Sequence, residues 1–288
     1  MNSIMVNNIQ HVCFHDGPGI RTTVFLNSCL LRCPWCANPE TSFYKKKYYV
    51  NERCVLENNK CAYNLNCNGK FSDSITLENN YHNCPVDAII NNSKEYSIDE
   101  LENIILEDRF LYKENGGVTF SGGEPLLQSK ALSQLFVKLK DNKINIAIET
   151  CLYTNISNLK DIIDYVDLFI IDIKILDVVE NSKVIKGNLD DYINNLSYIF
   201  DNKKNVIFRI PLIKPYITNQ DNINKIIDLL GNYKPMKVEV FKGHNLAKEK
   251  YLRLGLPYNT VETIDDMEIM KIKERIEDLG IDVEVISF

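Results

Sequence analysis

The apolar residues of this 288-residue chain gather in short continuous runs rich in β-branched side chains, separated by longer stretches where they recur every three or four positions. The runs at 22–27 (TTVFLN), 117–121 (GVTFS), 144–149 (INIAIE), 168–174 (LFIIDIK), 205–210 (NVIFRI), 237–241 (KVEVF) and 282–287 (DVEVIS) read as strands buried on both faces. The longer period predicts helices at about 97–112, 128–142, 156–166, 188–203, 219–230 and 264–279, the first opened by a capping box from Ser97 to Glu100. Each strand is followed by a helix that must carry the chain back across the sheet. The pattern therefore predicts an α/β fold on a parallel sheet, open or curled into a barrel.

One segment breaks this rhythm. Residues 43–95 contain no convincing strand-helix unit, are rich in Asn and Lys, and carry Cys54, Cys61, Cys67 and Cys84. They read as an insertion between the first strand and its helix, leaving 1–42 and 96–288 as one α/β unit. Eight of the nine cysteines lie before residue 85, which points to metal binding rather than to core filling or a disulfide framework.

Composition narrows the function classes. Apolar residues make up 45% of the chain, enough for a sizeable core, and the net charge of -6 argues against a nucleic-acid partner, which needs a concentrated basic surface. The one short basic run, Lys45 to Lys47, reads as a solvated loop. The N-terminal residues lack a charged start followed by an apolar stretch, and LFIIDIKIL is too short and too polar to span a bilayer. A cytoplasmic protein without a membrane partner is expected.

The chemistry is concentrated at the strand ends. In parallel α/β folds ligands bind beyond the carboxyl ends of the strands. There this sequence places Cys29, Cys33 and Cys36, then Gly122, Gly123 and Glu124, Glu149 and Thr150, Asp172 and Lys174, Arg209, and His244. The CxxxCxxC run could hold zinc, yet its spacing and the neighbouring Trp35 favour an iron-sulfur cube. Three thiolates leave one iron of a cube open to a substrate, whereas four would make it an electron carrier. The glycines permit close backbone approach, and Glu124 can meet an ammonium group. Asp172 and Lys174 share one face of a strand and could form a buried ion pair, while a buried Arg209 needs an anionic partner from protein or ligand. His244 alone would commonly be an ordinary loop histidine, and Cys13 and Cys151 lack metal-ligand spacing and read as structural.

Together these motifs resemble the radical S-adenosylmethionine (SAM) superfamily, specifically the glycyl-radical-enzyme activating enzymes typified by the pyruvate formate-lyase activases. The resemblance runs through HDGPGIRTTVFLNSCLLRCPWCANPE, GGVTFSGGEPLLQ, AIET, DLFIIDIK, FRIPLI and FKGHNLAKEKYLRLG. It implies an incomplete (β/α)6 TIM-like barrel with a small ferredoxin-like, cysteine-rich insertion. It also implies a 4Fe-4S cluster on Cys29, Cys33 and Cys36 that binds SAM through its open iron, with Glu124 at the methionyl ammonium and Trp35 near the adenine. Lys174 and Arg209 would neutralise the SAM carboxylate. Glu149, Thr150, Asp172 and His244 match positions around the ribose and methionyl part or a monovalent cation, and Asp16 matches a position facing the substrate's glycine loop. The implied reaction is reductive cleavage of SAM and removal of a glycine hydrogen from a partner glycyl-radical enzyme by the 5′-deoxyadenosyl radical. It is an anaerobic chemistry fed by a flavodoxin or ferredoxin-type reductant.

Several positions depart from the family pattern. Ala37 stands where CHNPE would have histidine, Glu149-Thr150-Cys151 replaces a usual Asp followed by small residues, and IKPYITN replaces a Pro-Gly turn. The insertion keeps four cysteines where relatives of this kind carry eight. Cys84 in CPVDAII resembles the end of a ferredoxin motif, so Cys54, Cys61, Cys67 and Cys84 are expected to hold one auxiliary 4Fe-4S cluster, with zinc as the alternative. The insertion argues against the simplest pyruvate formate-lyase activases. A radical SAM enzyme acting on a small molecule or peptide, and a plain electron carrier, are the competing functions; DGPGIRTT with the insertion disfavours the first, and the GGE, Lys174 and Arg209 set disfavours the second.

Overall fold

The computed structural model describes residues 3–42, 47–69 and 72–286. Lys45 and Lys46 of the short basic run lie outside them. The chain opens with the antiparallel strands β1 (Ser3–Cys13) and β2 (Arg21–Leu26). The cysteine-bearing segment follows, with β3 (Tyr48–Val50), β4 (Leu56–Glu57), β5 (Lys60–Cys61), α1 (Ser74–Asn80) and β6 (Ile89–Asn91). Next, β7 (Lys94–Ser97) pairs with β1, and α2 (Ile98–Glu107) and α3 (Arg109–Tyr112) lead into the repeating part. This runs β8 (Gly117–Gly122), α4 (Ser129–Asp141), β9 (Ile146–Thr150), α5 (Ile156–Lys160), β10 (Leu168–Asp172), α6 (Val178–Val184), α7 (Leu189–Asp201) and β11 (Asn205–Leu212). It ends with α8 (Gln220–Asn232), β12 (Lys237–Lys242), α9 (Lys248–Arg253), α10 (Asp266–Glu277) and β13 (Val283–Ile286).

The main sheet has the order β13-β12-β11-β10-β9-β8-β2-β1-β7. From β2 through β13 every neighbouring pair is parallel, and the order follows the chain without reversal. That lack of reversal decides the architecture. Crossovers of one hand that never change direction put all their helices on the same face, unlike a doubly wound sheet, where the order reverses and helices cover both faces. Successive residues of β10 divide accordingly. Phe169 and Ile171 join the large core shared with the helices, whereas Leu168 and Ile170 form a small separate core with Ala147 and Ile207 on the opposite face. The expected α/β class with a parallel sheet is what the chain adopts.

Helix boundaries follow local chemistry. Ser97 caps α2 through a complete capping box with Glu100, and Asp265 and Glu268 do the same for α10. The expected helix at 97–112 is split at Asp108, whose carboxylate accepts hydrogen bonds from Thr22 Oγ1 and pairs with His11. Strand β1 was not foreseen, because only Ile4 and Val6 of its eleven residues are buried and the rest lack a strand-like alternation. The cysteine-bearing segment holds its own small core of Tyr48, Val50, Cys67, Leu77 and Ile89 around the pair β3 and β6, elements too short to announce themselves by period.

Strand β8 packs on α4 within the large core. Phe120 and Phe136 are fully buried, with ring centroids 5.0 Å apart. Replacing Phe120→Ala removes a large side chain from a site walled by regular structure on both sides. It should destabilise the protein by about 3–5 kcal/mol, read as a lower midpoint in urea denaturation.

Candidate active site

The loop after β2 is shaped before any ligand arrives. Ser28 takes a left-handed φ of 83° and its N–H donates to Thr41 O at 2.8 Å, closing the loop on itself. Inside it, Cys36 N–H donates to Cys33 O at 3.1 Å and Arg32 Nη1 donates to Cys29 O at 2.8 Å. The glycines of β8 fix the loop from the side. A Cβ on Gly122 would stand 2.5 Å from Leu26 N, and one on Gly123 would stand 2.1 Å from Ser28 O. Gly123 N–H and Glu124 N–H instead donate to Leu26 O and Ser28 O at 2.9 and 2.7 Å. The close approach that sequence reasoning reserved for a ligand is taken by the chain's own backbone, while both glycines still line the cavity beyond.

That cavity, about 300 Å³, is bordered by residues from the ends of six strands, β2 and β8 to β12. It brings together Cys29, Cys33, Trp35 and Cys36 from the loop, Gly122 and Gly123 around the end of β8, Glu149 and Thr150 from β9, and Asp172 and Lys174 around the end of β10. Arg209, His244 and Asp16 complete the set. His244 Nδ1 accepts from Leu246 N–H at 3.4 Å, and Trp35 packs on Tyr216 with ring centroids 5.1 Å apart.

The cations of the site are already paired. Lys174 Nζ lies 2.6 Å from Asp172 Oδ2; burial is the largest single influence and would lower its ammonium, but the Asp172 carboxylate together with the sulfurs of Cys33 and Cys151 outweighs it and holds the ammonium above its ordinary value. Arg209 donates through Nε to Glu239 Oε2 at 2.7 Å and through Nη1 to Glu149 Oε1 at 2.6 Å, and it also reaches His15 O. The ion pair left open for Asp172 and Lys174 is therefore formed, and Arg209 finds its anions in protein carboxylates. Burial would push the Glu149 carboxyl up, yet Arg209 and the Ser121 hydroxyl outweigh it and hold it below the usual range. Asp16 goes the other way, raised by burial and then by the like charge of Glu149.

Glu124 does not line the cavity. It is fully buried behind the wall, where Oε1 accepts from Leu126 N–H at 3.1 Å and from Thr150 Oγ1 at 2.7 Å, and Oε2 accepts from Cys151 N–H and Cys151 Sγ, both at 2.9 Å. Burial raises its carboxyl despite these bonds. Its side chain is committed to holding the end of β9 rather than turned to a ligand.

Three residues that matter here escaped sequence reasoning. Cys151, read as structural, lines the cavity and donates through both its N–H and its thiol to Glu124 Oε2. Lys250 reaches from α9 to Ala37 O at 3.2 Å, Asn38 Oδ1 at 2.8 Å and Glu40 Oε1 at 2.7 Å, tying down the loop where a histidine is missing. Glu239 is the buried partner of Arg209, and a single acidic residue inside the apolar run KVEVF was its signal.

The donor set fits a soft, cationic cluster. Burial pushes the Cys33 thiol up and the Cys36 thiol to about 11, so these two need a metal centre to exist as thiolates near neutral pH. Among the described residues no three His, Cys, Asp or Glu side chains stand close enough to grip one bare metal ion. A cube spreads its thiolates farther apart than a single ion does. In the second group, Cys54, Cys61 and Cys84 pack against the small core that holds Cys67, Gly69 backs onto Cys54 Sγ, and Cys84 Sγ accepts from Ala88 N–H at 3.3 Å.

Comparison with known proteins agrees with this geometry. A family model described as a 4Fe-4S single cluster domain matches residues 15–190. The chain is 34% identical over 275 residues to a (2S)-3-sulfopropanediol dehydratase activating enzyme of Klebsiella oxytoca, covering 88% of this chain and 86% of that one. It is 32% identical over 301 residues to a 4-hydroxyphenylacetate decarboxylase activating enzyme of Clostridioides difficile, covering 96% and 94%. Among solved structures, a radical SAM methyltransferase from Sphaerobacter thermophilus shares the fold with a TM-score of 0.56 at 12% identity, over 95% of this chain and 67% of that one.

The opposite shifts of Glu149 and Asp16 give a signed pH dependence. A carboxyl held low in the folded state contributes stability that is present above its unfolded value of 4.5 and lost as the pH falls through the folded one. Asp16, held high, contributes in the opposite direction, so its share fades as the pH rises. The stability gap between the wild type and Glu149→Gln should be widest near neutrality and narrow below pH 4.5, as followed by denaturation midpoints across that range.

Proposed function

The chain belongs to the glycyl-radical-enzyme activating enzymes of the radical SAM superfamily, and we propose how its own residues carry that activity. The observation that supports the assignment most is the set of three cysteine thiols on one preformed loop, facing a cavity bordered by six strand ends. Cys29, Cys33 and Cys36 hold the 4Fe-4S cluster and leave one iron for SAM. When bound, the cluster supplies the electron that cleaves SAM, and the 5′-deoxyadenosyl radical so released takes a hydrogen from a glycine of the partner enzyme.

Every other task falls to positioning and exclusion. Gly122 and Gly123 present backbone to the methionyl ammonium, with Glu124 acting from behind through Thr150 and Cys151. Lys174 meets the SAM carboxylate while keeping Asp172 as its counter-ion, and Trp35, braced by Tyr216, faces the adenine. Arg209 acts through its carboxylates, setting Glu149, and more distantly Asp16 at 4.0 Å, toward the ribose side and the incoming glycine. His244, Glu149, Thr150 and Asp172 complete the ribose and methionyl contacts or hold a monovalent cation. A net anionic wall suits a ligand that carries a sulfonium and an ammonium against one carboxylate.

We assign Cys54, Cys61, Cys67 and Cys84, within a separate unit at 43–95, to one auxiliary 4Fe-4S cluster that relays electrons or supports docking. The reading includes a cytoplasmic location, a flavodoxin or ferredoxin-type reductant and classification under EC 1.97.1. The activating enzymes it resembles serve a dehydratase, a decarboxylase and a choline lyase, and this chain's partner is drawn from the same kinds of glycyl-radical enzyme.

Cysteine replacement separates the two clusters. In an anaerobic, reduced sample, Cys33→Ala should abolish release of 5′-deoxyadenosine from SAM. Joint replacement of the four insertion cysteines by Ser should lower iron from about eight to about four per chain and leave that release measurable. Near four irons with one zinc in the wild type would instead identify the second site as a zinc site.

A further inference from the structure

Asn92 stands where the cysteine-bearing segment rejoins the rest of the chain, one residue past β6, and it is fully buried. It closes the segment on itself: Asn92 N–H donates to Lys47 O at 3.0 Å, and Lys47 N–H donates to Asn92 Oδ1 at 2.7 Å. The amide nitrogen serves the cysteine loop instead. Asn92 Nδ2 donates to Glu40 O at 2.9 Å, on the return of that loop, and to Asn27 Oδ1 at 3.2 Å, at its start. Asn92 O accepts from Asn7 Nδ2 of β1 at 2.6 Å. One buried amide therefore joins the segment to both ends of the loop that carries Cys29, Cys33 and Cys36. Helix α9 adds an outer strap, with Lys250 Nζ 2.7 Å from Glu40 Oε1 and Arg253 Nη2 2.7 Å from Glu52 Oε2.

We propose that Asn92 is a positioning residue that couples the metal site of the inserted segment to the SAM-binding loop, so that filling the first steadies the second and tightens SAM binding. The proposal rests on the reading that Cys29, Cys33 and Cys36 hold the SAM-binding cluster and that Cys54, Cys61, Cys67 and Cys84 hold a metal centre. The segment's own core is small, Tyr48, Val50, Cys67, Leu77 and Ile89, with Cys54, Cys61 and Cys84 packed against it. A core of that size does not sustain a fold unaided, so bound metal supplies much of the segment's order. That order reaches Asn92 along β3 and β6, whose pairing ends at Tyr48 and Asn91, the neighbours of Lys47 and Asn92. On the loop side of the amide, Glu40 adjoins Thr41, whose carbonyl accepts from Ser28 N–H at 2.8 Å, and Asn38 and Thr41 border the cavity. Loosening the segment lets the amide leave Glu40 O, and the closure of the loop at Thr41 loosens with it.

The test is a double-mutant cycle read as SAM affinity, measured by equilibrium binding to the anaerobically reconstituted protein, together with hydrogen exchange at Ser28 N–H. Asn92→Ala and joint replacement of the four insertion cysteines by Ser should each weaken SAM binding about tenfold, and the two combined should weaken it no further than either alone. Ser28 should exchange faster than in the wild type in all three variants. Losses that multiply to about a hundredfold are independent and overturn the proposal, as does unchanged Ser28 exchange in the four-serine variant. If Asn92→Ala does not fold, Ser28 exchange in the four-serine variant against the wild type decides alone. Equal iron and zinc content in the wild type and the four-serine variant would overturn the metal assignment beneath the proposal, whereas metal lost with SAM affinity unchanged overturns the coupling itself.

Discussion

The site depends on the absence of two side chains. Gly122 and Gly123 let the end of β8 lie against Leu26 and Ser28 at distances no Cβ could tolerate, and the two backbone bonds that result fasten the start of the cysteine loop to the sheet. A loop hung only from the end of β2 would place its three sulfurs loosely, and a cluster ligand that drifts by an ångström loses its geometry. Here the loop is fastened at its origin by β8, at its return by Thr41 and along its flank by Lys250. The glycines are structural first. Their service to a ligand follows from the backbone they leave exposed on the cavity side.

A second constraint is electrostatic. The end of this parallel sheet collects charged residues that are largely shielded from solvent, and each must be balanced where it stands. Arg209 between Glu149 and Glu239, and Lys174 beside Asp172, are such balances made within the protein. A guanidinium with two carboxylates has little attraction left for a third, so Arg209 is better understood as the part that fixes Glu149 and steadies Asp16 than as a direct anion receptor. Lys174 has a single counter-ion and stays on the cavity wall, which leaves it as the cation able to share its charge with a ligand carboxylate.

What could be read from the sequence follows what burial leaves as a pattern. Strands buried on both faces show as unbroken apolar runs, so β2 and β8 to β12 were legible nearly to the residue, and the edge strand β13, half exposed, was found by its β-branched residues. β1 was not, because most of it is exposed. The insertion's strands are two or three residues long, shorter than any period. At the site, residue type and strand-end position sufficed for the cysteines, Asp172, Lys174 and Arg209. Direction was invisible: GGE announces an acidic residue after a strand, but nothing in it says that the carboxylate turns inward. Cys151 was overlooked for the same reason, since metal-ligand spacing detects ligands and not the residues that line a cavity beside them.

Glu124 and Cys151 together change how the vacancy at the cluster should be understood. Three thiolates leave an iron open, but openness alone would admit water or any small donor. The wall around the proposed cluster position is held by a carboxylate that lies behind the cavity: Glu124 sets the hydroxyl of Thr150 and both the backbone and thiol of Cys151. A buried carboxylate is costly to keep, and this one is offset by four donors from the elements it joins. The acidic residue after the two glycines thus acts on the cavity wall at one remove, through the end of β9.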